Sequence, residues 1–385
     1  MSSRFESPRP DDRFLDLRVF ASGLDAWLDE CPPALLAARA PLPDHPERVE
    51  AMSELMAALY DAGWSRYGWA PLVGGCGGTI THRAALWESL ARHGVPGMML
   101  FEHLEILAPT LVAYGPTSFV AEALPAFLAG REFWAQGFSE PDAGSDLASL
   151  RTIAAADGDD FLITGRKIWT SWARYATWCL LLARTGDPDS RHRGLTAFIV
   201  DLRSPGIEVS PIAQSNGTDE LTEVTFDGVA VGRDRIVGTV DGGWAVAMHI
   251  LGQERGTFAW FRHCFLYQQL GACAEGGNGH NDRALGEALV DLAAVTATAY
   301  AGVLSHADGA SLGPQAAYTK LLLCAGEQAV QDCILAGDSD LAAGIQTAEV
   351  AKQRQEYLFS RIVTVYGGSQ QMQLDTIAKQ LLRLP

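Results

Sequence analysis

The chain has 385 residues, 48% of them hydrophobic, enough to bury a large core divided among two or three domains. Its formal net charge is −17 and its 29 Lys and Arg residues are scattered, so no basic face exists for nucleic-acid phosphates. Seven cysteines without a CxxC pair, no signal-peptide core in "MSSRFESPRPDDR" and no uninterrupted apolar run near ~18 residues lead us to expect a reduced, cytoplasmic protein without a membrane span.

From about Asp11 to Gly130 the pattern is helical. "PERVEAMSELMAALYDAG" and "HRAALWESLARHG" place apolar residues three and four apart and end in glycine. The loop between them, "WAPLVGGCGGTI", is not a G-x-G-x-x-G fingerprint and no βαβ unit surrounds it, which argues against a Rossmann fold. From Phe133 to Val237 short runs rich in Val, Ile, Thr and Phe replace the helices. "TIAAADGDDFLITGRKIW" reads as two strands joined by a turn at Asp157 and Gly158. "ATWCLLLART", "LTAFIVDL", "GIEVSPI" and "LTEVTFDGVAV" follow as further strands, which predicts a small β-barrel or sandwich. After Gly242 helices return almost to the end. The pattern predicts an α+β chain: an N-terminal helical domain over 1–132, a central β domain over 133–240 and a C-terminal helical bundle over 241–385.

Four stretches could carry chemistry. In "WAQGFSEPDAGSD" the small residues Gly137, Ser139, Ala143, Gly144 and Ser145 surround a Glu-Pro turn and would let a flat or anionic ligand approach the main chain; an ordinary turn explains them too. In "GRKIWTSW" Trp169 and Trp172 bracket Thr170 and Ser171, which suits a stacked heteroaromatic ring or, equally, two core tryptophans. The run "HILGQERGTFAWF", His249 to Phe261, read as one helix, puts Glu254 on the face of Ile250, Leu251, Phe258 and Phe261. An unpaired buried carboxylate costs several kcal/mol and Arg255 diverges from it, so Glu254 either snorkels, pairs with a distant cation, or serves as a general base with a raised pKa. Last, "VYGGSQQMQLDTIAKQLL" turns at Gly367 and Gly368 before a final helix, for which Ser369 is an adequate N-cap. The nine histidines show no metal-ligand spacing and no serine sits in G-x-S-x-G, so metalloenzyme and hydrolase readings lack support.

Together these stretches resemble the acyl-CoA dehydrogenase family of flavoproteins over nearly the whole chain. "SEPDAGSD" resembles the family's T-E-P-x-A-G-S-D. "GRKIWTSWARYATWCLLLARTG" is similar to G-x-K-x-W-I-T-N…R-T, and "YGGSQQMQLDTIAKQLL" to the closing G-G-T-x-E-I-Q…I-A-x-x-L-L. The resemblance implies FAD held between the β domain and the C-terminal bundle. Gln136, Gly137, Phe138, Ser139, Gly144 and Ser145 would contact the cofactor, with Ser145 also near substrate. Trp169 would pack on the isoalloxazine, Ser171 would lie near its N5, and the main chain of Gly367, Gly368 and Ser369 would bind it on the other side.

The implied reaction is α,β-desaturation of an acyl-CoA (or acyl-carrier-protein) thioester in fatty-acid or lipid metabolism, with an electron-transfer flavoprotein as acceptor. Many members carry the base in the closing motif, where this chain has Gly367. A second branch places it on the first C-terminal helix just before an Arg, where this chain has Glu254. Glu254 is thus the implied base, the N–H of Gly367 an oxyanion donor, and Gln253 and Arg255 neighbours of the pantetheine arm. The family's R-x-x-F-G segment has no counterpart in "AEGGNGHNDRALGEAL", where Arg283 is the nearest basic residue, and "CILAGDSDLA" stands in place of F-G-G-x-G. A homodimer or homotetramer is the family expectation; these departures mark either a divergent subgroup or a chain that assembles with a non-identical partner.

Overall fold

In a computed structural model, which describes residues 11–40, 45–97, 99–275, 282–310, 313–337, 343–344 and 347–384, the first part of the chain is helical as its spacing predicts. The helices are α1 (Leu17–Asp29), α2 (Pro33–Arg39), α3 (His45–Asp61), α4 (Ile80–Arg92), α5 (Met99–Tyr114) and α6 (Thr117–Leu128). Local chemistry fixes their starts: the Asp16 carboxylate accepts from the N–H groups of Arg18 and Val19, and Thr79 caps α4. Helix α1 buries Phe20, Leu24 and Leu28, four residues apart, on one stripe.

The β region comprises β1 (Trp134–Gly137), β2 (Ile153–Asp157), β3 (Asp160–Ser171), β4 (Trp178–Arg184), β5 (Leu195–Asp201), β6 (Ile207–Pro211), β7 (Leu221–Gly232) and β8 (Ile236–Val237). They form one sheet in the order β6-β7-β3-β2-β4-β5-β8, with β1 parallel to β4. The rings of Phe161 on β3 and Phe198 on β5 meet at 5.2 Å although these strands are not neighbours, so the sheet curls round a core of its own. The hairpin turn lies one residue later than expected. Asp157 pairs with Asp160, leaving Gly158 and Asp159 as the two-residue loop, with Gly158 at φ +59°. Between Lys167, opposite Val224, and Thr170, opposite Thr222, β3 carries one extra residue, a bulge at Ile168–Trp169.

The helix expected to run through Glu254 to Phe261 is broken. α7 (Gly243–Arg255) stops at Gly256, whose φ of −108° and ψ of −89° are not helical, and α8 (Phe258–Glu275) starts afresh. Glu254 therefore stands in the last turn of a helix. The N-terminus of α7 lies close on β5: a side chain at Gly243 would come within 2.7 Å of the Ala197 nitrogen. The α-helices α9 (Asp282–Ala307), α10 (Ala316–Gly337), α11 (Ala348–Phe359) and α12 (Gln370–Thr376) follow, the last running on into a π-helical turn at Ile377–Leu381. Among them α9 alone is long and apolar enough to cross a membrane by length and composition; here it packs on α8 and α10.

The two helical regions share a single apolar core that also covers one face of the sheet. Trp87 of α4 meets Phe261 of α8 ring to ring at 5.9 Å, and the Trp260 indole donates to the carbonyl of Ala84 over 3.2 Å. Inside the C-terminal bundle Arg262 donates to both carboxylate oxygens of Glu327, at 2.8 and 3.1 Å, and reaches Glu356 at 3.4 Å.

Candidate active site

The first two sequence signatures are pinned together by a buried ion pair. Lys167 Nζ lies 2.7 Å from Glu140 Oε1 and donates to the Phe138 carbonyl at 3.0 Å. The Glu140 carboxylate also accepts from the N–H groups of Arg151 (2.6 Å) and Thr152 (2.9 Å). Burial alone would raise the Glu140 pKa, but the Lys167 charge and these N–H donors outweigh it and hold the carboxyl below its ordinary value. Burial pushes the Lys167 ammonium down to about 8. Glu140 is thereby committed to structure. A main-chain bond from Ile168 N–H to the Ser139 carbonyl, 2.9 Å, completes the clip.

That clip fixes how the predicted cofactor residues stand. Gln136 and Ser139 are half-buried at the end of β1, and Phe138 is buried. Gly137 faces inward, since a Cβ there would lie 2.9 Å from Cys179 Sγ, so only its main chain is available outside. Gly144 and Ser145 are exposed. The bulge separates the two tryptophans that the sequence left equivalent. Trp169, at φ +59°, is 55% exposed, whereas Trp172 is 2% exposed and packs on His45 at 5.2 Å. Ser171 is half-buried beside Leu221 of β7.

A second cluster forms where α7 ends against the turn before α12. Gly367 has φ +66°, and a Cβ built on it would lie 2.9 Å from Oε1 and 3.0 Å from Cδ of Glu254. Arg255 Nε donates to the Gly367 carbonyl at 2.8 Å, and Gln373 Nε2 donates to the Gly368 carbonyl at 3.0 Å. The Ser369 hydroxyl accepts from Met372 N–H at 3.3 Å, the N-cap role anticipated for it. Gln253 is buried, and its amide oxygen accepts from the Thr257 hydroxyl at 2.9 Å.

Glu254 itself is half-buried, yet its carboxyl group is desolvated and the pKa is raised. Burial is the main cause, opposed by the charges of Lys320 and Arg255. Its place in the last turn of α7, at the negative end of the helix dipole, acts in the same direction as burial.

Sequence reasoning missed Lys320. It is a lone charge in the apolar stretch "AAYTKLLLCAG" of α10, 1% exposed by comparison with the usual lysine, and its ammonium stands 3.8 Å over the Tyr366 ring. The only sequence signal is that isolated cation. Arg283 is exposed and bonds Glu287 at 2.9 Å. The rest of the departures from the family pattern, at 276–281 and 338–342, and Met98 of the first helical block lie outside the described residues.

Residues 35–131 match the model of the acyl-CoA dehydrogenase N-terminal domain and residues 135–229 that of its middle domain. Acyl-CoA dehydrogenase IpdE1 of Mycobacterium tuberculosis is 34% identical across 96% of this chain and 98% of its own length. The chain belongs to the acyl-CoA dehydrogenase family. A solved steroid ACAD, Tcur3481-Tcur3483, superposes with a TM-score of 0.79 at 26% identity, covering 98% of this chain and 99% of that one. The ChsE4-ChsE5 complex from Mycobacterium tuberculosis has the same fold, with a TM-score of 0.77 at 23% identity over 96% and 97% of the two chains. As an acyl-CoA dehydrogenase, the protein is a flavoprotein oxidoreductase acting on acyl-CoA. Its helix–sheet–helix plan is the family's, and the sheet predicted as a small barrel or sandwich is the curled eight-stranded one described above.

Proposed function

We propose that Glu254 is the base of this acyl-CoA dehydrogenase, removing the α-proton of an acyl thioester. The observation that carries the reading is that the Glu254 carboxylate stands 2.9 Å from where a Cβ on Gly367 would be, so an acid from α7 lies beside the closing-motif position that lacks one. A desolvated carboxylate with a raised pKa is matched to proton abstraction near neutrality.

The α-proton becomes acidic only if the thioester oxygen is held. The N–H of Gly367 makes no backbone hydrogen bond among the described residues and belongs to a residue packed close to the base, which suits it to that task. Each such donor contributes ~3 kcal/mol in comparable oxyanion sites. Arg255 and Gln373 brace the carbonyls of Gly367 and Gly368, which steadies the turn on the C-terminal side of that N–H.

FAD, when bound, supplies the acceptor for the β-hydrogen. An indole left 55% exposed on a bulge lacks an apolar neighbour that a flat ring system provides, so Trp169 fits the cofactor. Ser171 and the ends of β1 at Gln136 to Ser139 lie along the same clip, and the open main chain at Gly144 and Ser145 suits the pyrophosphate. Gly368 and Ser369 would present main-chain groups from the other side.

The test is reconstitution with FAD and desaturation of an acyl-CoA panel with an artificial acceptor, then with an electron-transfer flavoprotein. Glu254→Gln should lose turnover by about 10²–10⁴-fold while retaining flavin; near wild-type turnover would sink the assignment. A carrier-protein-linked substrate or oxygen uptake would mark the variants of the same chemistry.

A second reading concerns assembly. The missing R-x-x-F-G segment and a relative described as the steroid ACAD Tcur3481-Tcur3483 favour a subunit that completes its site with a non-identical chain and takes a steroid thioester. The mass of the purified protein, and yellow colour when it is made alone, separate this from a homo-oligomer.

A further inference from the structure

Glu327, two turns along α10 from Lys320, is fully buried and bound by Arg262, which also reaches Glu356 on α11. The Cys324 thiol, on the same face, donates to the Val363 carbonyl at 3.0 Å. Arg255 is held by the Gly367 carbonyl. After these pairings Lys320 Nζ remains buried without a hydrogen-bond acceptor among the described residues. Such an ammonium costs several kcal/mol where Leu or Met would pack freely, so a purely structural position has no reason for it. Its one close contact is the face of Tyr366, the residue before Gly367, and it is one of the two cations acting on Glu254.

We propose that Lys320 is the positioning residue of the base: its ammonium, seated on Tyr366, holds the Tyr366–Gly367 turn against the Glu254 carboxylate and adds a positive charge to that carboxylate's surroundings. The inference rests on the reading of Glu254 as the base. The groups facing the pair are few. Arg255 comes from α7 itself, Cys324 and Glu327 from α10, Tyr366 from the turn, and Arg262 from α8 with Glu356 from α11 behind it. On the side of α5, α7 offers His249, which bonds the Thr110 hydroxyl at 2.8 Å and whose pKa burial lowers.

Lysine to methionine keeps the volume and removes the charge, so Lys320→Met should retain flavin and unfold no earlier than wild type. On the FAD-loaded enzyme kcat/KM near pH 6 should fall about tenfold while staying within about twofold at alkaline pH, because a base deprived of its cation needs higher pH to ionise. Lys320→Arg should restore the wild-type profile. Lys320→Gln carries the same expectation as the methionine variant if the latter does not retain flavin. An unchanged profile, or the same loss at every pH, overturns the proposal. Glu254→Gln run in parallel keeps the two ideas apart: if that variant stays active the base assignment fails, and if it is inactive while Lys320→Met has a wild-type profile only Lys320 loses its role.

Discussion

The carboxylate of Glu254 occupies the space that a side chain on Gly367 would need, with Oε1 2.9 Å from the position of a Cβ there. The two positions that the family resemblance offers for a base, 254 and 367, therefore lie side by side, and a side chain at 367 would crowd Glu254. Gly367→Ala should push Glu254 aside and strain a left-handed backbone, lowering kcat about 10–100-fold with little change in flavin content. Moving the acid, as Glu254→Gly with Gly367→Glu, should recover part of the activity lost in Glu254→Gly alone, whereas Gly367→Glu in the wild-type background should be inactive. Steady-state turnover of the four proteins decides.

A raised pKa at Glu254 has a sign in stability as well as in rate. Between the ordinary glutamate value and the raised one the folded state binds more protons than the unfolded state, so this group makes stability fall as pH rises through that window. Glu254→Gln should accordingly melt a few degrees higher than wild type at neutral pH, and the gain should vanish as pH drops below the ordinary carboxyl range. Turnover of the wild type should rise with pH through the same window. Thermal melts and a kcat/KM profile measure both.

The Glu140–Lys167 pair predicts a different pattern. Removing one partner, by Glu140→Gln or Lys167→Met, leaves a buried charge uncompensated and should cost about 3–5 kcal/mol. The double variant should cost less than either single change. Denaturant midpoints of the three proteins test the coupling, and loss of flavin should follow the single variants because Ser139 and Ile168 lose their alignment.

Trp169 should report cofactor binding directly. Its fluorescence should be quenched on FAD addition, and Trp169→Ala should weaken FAD binding about tenfold or more, while Trp172→Phe should act on stability instead. Flavin titration followed by emission distinguishes them.

Periodicity was sufficient to separate helical from β regions, because that signal is local, but it put Glu254 on one helical face with Phe258 and Phe261, which belong to the next helix. The break at Gly256 was hidden since an internal glycine costs a helix only ~1 kcal/mol, and here packing of α8 decides the matter. Trp169 and Trp172 look alike in sequence. What separates them is a miscount of one residue against β7, some fifty positions further on, and no local pattern records it. Lys320 and the Glu140–Lys167 pair were illegible for the same reason: their significance lies in a partner brought by the fold, and an isolated lysine reads as a solvated one.

The bond from the Trp260 indole to the Ala84 carbonyl joins positions 176 residues apart across the whole β region. The faces that α4 and α5 turn to α7, α8 and α9 stay uncovered until both halves have been made, so closing this part of the core requires a long loop and a slow search. During synthesis α4 and α5 must wait, one apolar face uncovered, for α8 to leave the ribosome. A chaperone or an early-folded sheet that keeps those faces apart would therefore govern yield more than any single contact in the finished molecule.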